Sequence, residues 1–132
     1  MPLVIDASVV IAVIANESIK PVLIALTRGE ELFAPRSLPW EIGNAFSAMF
    51  KRKAIELPQA LTAIEEYLRI PIHYVDIELR RSLELSHSLN VYAYDAYLMA
   101  CAEQLGCRLL TLDRGLVHAA RRAGVDVVEV PD

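Results

Sequence analysis

Short apolar runs punctuate this chain: LVI from Leu3, LFA from Leu32, IHYV from Ile72, RLLTL from Arg108 and VDVVEV from Val125. Between them lie longer segments whose apolar positions recur in steps of three and four, the period of a helix with one buried face. Strands alternating with helices predict a parallel sheet flanked by helices, an α/β sandwich. Prolines and glycines mark the joints. Pro35 closes the second run, Pro58 opens the helix PQALTAIEEYL, and Pro71 introduces the third run. Gly106 and Gly124 follow helical segments, where a C-terminal cap is wanted. No internal repeat, linker or low-complexity tract interrupts the pattern.

Two of the helices carry an acid near their start. The helix beginning near Ser37 sets Leu38, Ile42, Ala45, Phe46, Met49 and Phe50 on one face, with Glu41 in its first turn. The helix containing Asp95 is more extreme. Steps of three and four from Asp95 reach Leu98, Met99, Ala102 and Leu105, so this carboxylate heads an apolar stripe. In an open parallel sheet, strand C-termini and helix N-termini share one rim, and ligands bind there. Asp6 ends the first strand, Asp113 ends the fourth, Glu41 follows the second, and Asp95 opens the helix that runs into the fourth. Topology alone therefore draws four carboxylates to one rim.

Each acid has an ordinary reading by itself. Asp113 is well placed to cap the helix RGLVHAARRAG, Glu41 is a favourable first-turn charge, and Asp6 suits a turn. Asp95 is the hardest to explain away, because a carboxylate on an apolar stripe is uncommon unless paired. Asp76 reads as a cap for the helix after the third strand, and Glu65, Glu66, Glu78, Glu84, Asp126 and Glu129 read as solvated positions. His73, His87 and His118 show no ligand spacing. Taken together, the four rim acids repel one another and lose hydration. Helix N-termini offset only about 0.3–1 kcal/mol each. A hard divalent cation is the natural counter-charge. Mg²⁺ or Mn²⁺ prefers oxygen ligands and keeps waters for a substrate phosphate, which points to phosphoryl chemistry.

Composition narrows the picture. A length of 132 residues predicts one domain, and 55% hydrophobic residues with a mean hydropathy of +0.35 is more than a small monomer needs, which predicts a homodimer. A net charge of −4 excludes nucleic-acid binding by bulk electrostatics alone. Contact with phosphate then needs a bound cation or a local one, and Arg114, beside Asp113, is the candidate. The run VVIAVIA from Val9 is far short of the roughly 20 residues that span a bilayer, and no Lys or Arg precedes it. The expectation is a cytoplasmic protein without a membrane segment. Cys101 and Cys107 read as small hydrophobes and not as a disulfide, and Tyr92 and Tyr94 as packing residues near the rim.

The stretches VIDASVV from Val4, PWEIGNAF from Pro39, YAYDAYLMACAEQLG from Tyr92 and LLTLDRGL from Leu109 together resemble the PIN domain, most closely the VapC-type toxins of VapBC toxin/antitoxin pairs. The resemblance covers essentially the whole chain, residues 1–132. It implies a three-layer α/β/α sandwich around a five-stranded parallel sheet of order 3-2-1-4-5. It also implies an Mg²⁺- or Mn²⁺-dependent endoribonuclease acting on RNA, with Asp6, Glu41, Asp95 and Asp113 as catalytic and metal-binding acids, a homodimer, and a cognate VapB-type antitoxin. Ser8 and Thr111 resemble hydroxyls that support the acids, and Asn44 the polar residue one turn beyond Glu41. Leu116 stands where many relatives carry Phe. Two other readings compete. One is a non-catalytic PIN-like scaffold for RNA or protein, which has no reason to keep four repelling acids. The other is a phosphoacceptor signalling module, which wants paired acids at the first strand and a lysine at the end of the last, whereas ASVV follows Asp6 and VVEVPD has no lysine.

Overall fold

Leu3, Val4 and Ile5 are all buried, as expected of a strand covered on both faces. They belong to β1 (Pro2–Ile5), the first element of the computed structural model, which describes residues 1–131. It is followed by α1 (Ala7–Ile14), α2 (Lys20–Thr27), β2 (Glu31–Pro35), α3 (Leu38–Lys51), α4 (Leu57–Tyr67), β3 (Ile72–Val75), α5 (Leu79–Leu89), α6 (Ala93–Leu105), β4 (Arg108–Leu110) and α7 (Arg114–Arg122). The strands pair in parallel in the order β3-β2-β1-β4, with Val4 opposite Phe33 on one side and Leu109 on the other.

Alternation along the strands divides the core in two. Leu3, Ile5, Ala34 and Leu110 point to one face, where they meet Val9 of α1, Leu23 of α2, Ile42 and Phe46 of α3, and Ala63 of α4. Val4 and Leu109 point to the other, against Leu85 of α5, Leu98 and Met99 of α6, and Leu116 of α7. The result is the expected three layers.

The described sheet has four strands, not the expected five. Of the VDVVEV segment, Val127 makes an isolated parallel bridge with Leu109, held by Leu109 N to Asp126 O and Val128 N to Leu109 O, both at 2.9 Å. The ladder stops there because the chain leaves β4 at once. The Leu112 amide donates to Ser8 Oγ and the Asp113 amide to Thr111 Oγ1, both at 3.0 Å, so the backbone bends toward the rim instead of extending the edge.

Other details also depart from the sequence reading. Asp76 does not cap α5, whose N-cap Glu78 makes no side-chain bond; its Oδ1 accepts from Arg36 Nε at 2.5 Å. Phe50, in the last turn of α3, is exposed. Gly106 caps α6 at φ 62°, a left-handed geometry that disfavours a side chain. Cys101 and Cys107 are free thiols. Large apolar side chains stay exposed on two helices, Leu57 and Leu61 on α4 and Leu79 and Leu83 on α5. Among the described residues, no helix is long and apolar enough to cross a membrane.

Candidate active site

Asp6 leaves β1 at its C-terminal end and caps α1, its Oδ1 accepting from the Val9 amide at 3.2 Å. It is only 5% exposed, so both oxygens need donors. Ser8 Oγ donates to Oδ1 at 2.6 Å and Thr111 Oγ1 donates to Oδ2 at 2.5 Å. Each hydroxyl has one proton, so the 3.4 Å approach between Ser8 and Thr111 is left without a donor hydrogen. The same two oxygens accept the Leu112 and Asp113 amides, tying the end of β1 to the turn after β4.

The other three acids arrive from separate helices. Glu41 stands in the first turn of α3, half-buried, with Ser37 Oγ donating to its Oε2 at 2.8 Å. Asp95 stands in the first turn of α6, half-buried, and receives no hydrogen bond from any described residue. Asp113 is exposed and caps α7, with Oδ1 accepting from the Gly115 amide at 2.9 Å and the Leu116 amide at 3.3 Å. That leaves Oδ2 of Asp113 uncommitted by the cap.

These carboxylates act on one another. Burial, the largest influence, pushes the Asp6 carboxyl above the ordinary aspartate range; its three hydrogen bonds pull it down again and the charge of Asp113 adds to the rise. Burial likewise raises Glu41, opposed by the Ser37 hydroxyl and reinforced by Asp6 and Asp95. Asp95 is raised by burial and then by Asp113 and Asp6, with nothing opposing. Four acids distant in sequence thus share one electrostatic basin at the sheet's C-terminal rim. Among the described residues, no three His, Cys, Asp or Glu side chains enclose a metal-sized space by themselves.

The remaining sequence candidates fall around this basin. Ser8 and Thr111 both touch Asp6, whereas Asn44 is exposed one turn beyond Glu41. Arg114, also exposed, begins α7 next to Asp113. Ser37 was not anticipated; its signal was a hydroxyl at the N-cap of α3, four residues before Glu41. Tyr92 does not pack as expected, being 89% exposed ahead of α6, while Tyr94 meets Tyr97 edge-on with ring centroids 6.0 Å apart. Trp40, beside Glu41, is also exposed.

Comparison with known proteins places the chain in a family and a fold. The PIN domain family profile matches residues 3–122. Ribonuclease VapC3 of Pyrobaculum aerophilum is 29% identical over 123 residues, covering 89% of this chain and 94% of that one. Ribonuclease VapC9 of Mycobacterium tuberculosis is 30% identical over 113 residues, covering 84% of this chain and 85% of the relative. Two solved structures share the fold. PAE2754 from Pyrobaculum aerophilum superposes with a TM-score of 0.69 at 21% identity, over 97% of this chain and 92% of the other. VapBC2 from Rickettsia felis, bound to a DNA fragment from its promoter, gives 0.71 at 13% identity, over 99% and 100%. With the profile spanning nearly every element from β1 to α7 and curated relatives aligned over most of their length, this chain belongs to the PIN-domain family, among the VapC ribonucleases.

Proposed function

We propose that this chain is a metal-dependent endoribonuclease, the toxin of a type II toxin/antitoxin pair, that hydrolyses RNA phosphodiester bonds to leave 5′-phosphate and 3′-hydroxyl ends in the cytoplasm. The observation that carries the reading is the mutual repulsion of Asp6, Glu41, Asp95 and Asp113, three of which burial and neighbouring charge push toward the protonated state. A protein gains nothing from this arrangement unless a cation relieves it.

A hard divalent ion fits the donor set. The basin offers carboxylate oxygens, and Asp95 has no competing donor among the described residues. Among the described residues no three such side chains are grouped to hold an ion by themselves, so Mg²⁺ or Mn²⁺ would be held through one or two carboxylates, with waters completing its shell. When bound, such an ion supplies an activated water and charge neutralisation at the phosphoryl group. The chain's own contribution is orientation. Ser8 and Thr111 fix both oxygens of Asp6, Ser37 fixes Glu41, and the α7 amides fix Asp113 through Oδ1 alone.

The relatives' designation as VapC ribonucleases and the VapBC complex among the structural neighbours support RNA as substrate and a VapB-type antitoxin as partner. Separate exposed apolar faces on α4 and α5 supply surface for two associations, a homodimer and the antitoxin. Asp95→Asn is the test. It is expected to abolish cleavage of RNA in Mg²⁺ or Mn²⁺ and to weaken Mn²⁺ binding while preserving the fold; full activity would remove the basis of the assignment, and a wild-type chain that binds no Mn²⁺ would favour a non-catalytic scaffold.

A further inference from the structure

A cleft of about 580 Å³ lies between α7 and the Val127–Pro131 segment, and Thr111, whose hydroxyl holds Asp6, is one of the residues that line it. Arg114, His118 and Arg121 line it from α7. Their spacing of four and three residues puts them on one helix face, spread over about 10 Å at 1.5 Å per residue. The opposing wall carries Glu129, whose Oε1 accepts from Arg121 at 2.7 Å. In a chain of net charge −4, whose acids crowd the rim where α7 begins, a helix face carrying Arg114 and Arg121 with His118 between them is a local concentration of basic side chains.

We propose that this cleft is an RNA subsite, in which His118 and Arg121 hold backbone phosphates of the strand beyond the bond that is cut. The inference rests on the nuclease reading and adds to it where the strand runs. Charge selects the occupant: the acidic basin repels a polyanion, and a cationic track continuous with it supplies the attraction that the protein as a whole lacks. Glu129 acts as a built-in competitor. Its ion pair with Arg121 is exposed on both sides, 56% and 86%, so it is weak and exchangeable for phosphate. Arg121 therefore reaches RNA by leaving Glu129, and affinity is set below its ceiling.

The test is binding of a fluorescently labelled single-stranded RNA oligonucleotide to the 132-residue chain in EDTA, followed by anisotropy from about 50 to 200 mM salt. One phosphate contact to a single strand contributes about 0.7 to the log–log salt slope. Arg121→Ala is expected to lower the slope by about 0.7 and to weaken binding at 0.1 M salt about fivefold. Arg121→Lys keeps the charge and is expected to retain the slope, which separates lost charge from lost fold. Glu129→Gln is expected to tighten binding at least twofold. Unchanged affinity and slope in both Arg121→Ala and Glu129→Gln would overturn the proposal. So would a cleft that loses polyglutamate binding in Arg121→Ala while RNA binding stays intact, since its occupant would then be an acidic peptide. Because EDTA removes any need for cleavage, the two readings fail separately. Arg121-dependent binding by a chain that never cuts RNA would sink the nuclease and spare the track. Cleavage with a KM indifferent to Arg121 would do the reverse.

Discussion

The hydroxyl of Thr111 donates to Oδ2 of Asp6 at 2.5 Å while accepting the Asp113 amide at 3.0 Å, so one buried side chain joins the ends of β1 and β4 and the start of α7. Thr111 is 2% exposed, so the hydrogen bonds of its hydroxyl are made out of contact with bulk water. Thr111→Val keeps the shape but leaves an Asp6 oxygen and the Asp113 amide unpaired. The expected cost is about 1–3 kcal/mol for a buried polar group left unsatisfied. Thermal unfolding should show a midpoint several degrees lower, with Thr111→Ser recovering most of the loss.

Stability should depend on pH in the direction opposite to that of a protein whose native carboxylates are salt-bridged and held below their ordinary values. Asp6, Glu41 and Asp95 all have carboxyls raised in the folded state above their ordinary values of 3.8, 4.5 and 3.8. A raised folded value means that the native chain binds protons more tightly than the unfolded chain, so stability falls as pH rises through the window above those ordinary values. Metal-free protein should therefore gain unfolding temperature as pH is lowered from neutrality toward the ordinary carboxylate range. Asp95→Asn should flatten the dependence and raise the midpoint at pH 7.5 by a few degrees, the size expected of about 1 kcal/mol in a chain of this length. Calorimetry in EDTA checks both.

Ser37 is a positioning residue for Glu41. Its hydroxyl favours the ionised form of a carboxyl that burial otherwise raises. Ser37→Ala should move the acid limb of the cleavage pH profile to higher pH and lower kcat at pH 7 by about two- to tenfold, less than the roughly 100-fold that a 1 Å misplacement can cost. Unfolding temperature should change little. A pH–rate profile in saturating Mn²⁺ distinguishes this from a merely structural role, which would leave the limb in place.

The two exposed apolar faces should separate genetically. Leu61→Lys alters α4 and Leu83→Lys alters α5, and each side chain is 55% exposed, so neither change reaches the core. Light scattering of the purified variants should show that one of them converts a dimer to a monomer and the other does not. A dimer that survives both substitutions would place self-association on another surface.

What could be read from the sequence followed the range of the interactions involved. Asp95 stood out because helical period is local: Leu98, Met99 and Ala102 are buried as the three- and four-residue steps require, and the half-buried acid heads that stripe. The rim itself followed from parallel strands alternating with helices, which proline and glycine punctuation delimited, while the strand order came with the family resemblance. The fifth strand did not, although VDVVEV has strong strand character. What limits it is the pairing of Leu112 with Ser8, 104 residues away, together with the Asp113 amide turning to Thr111, and no local pattern encodes the first of these. Asp76 was misread for the same reason. A cap is a local prediction, whereas its partner Arg36 lies 40 residues earlier. Tyr92 shows the converse, since aromatic character near an apolar helix predicts burial and the residue stands ahead of the α6 first turn, facing solvent.

The most direct measurement is cleavage of a single-stranded RNA by EDTA-stripped protein with and without added Mn²⁺, comparing wild type with Asp95→Asn and identifying the ends. The proposed mechanism requires cutting only when the ion is present, 5′-phosphate and 3′-hydroxyl products, and a loss of at least about 100-fold in the variant, the scale of a missing electrostatic contact to the reacting group. Cutting that proceeds without the ion, or an Asp95→Asn protein as active as wild type, would contradict it.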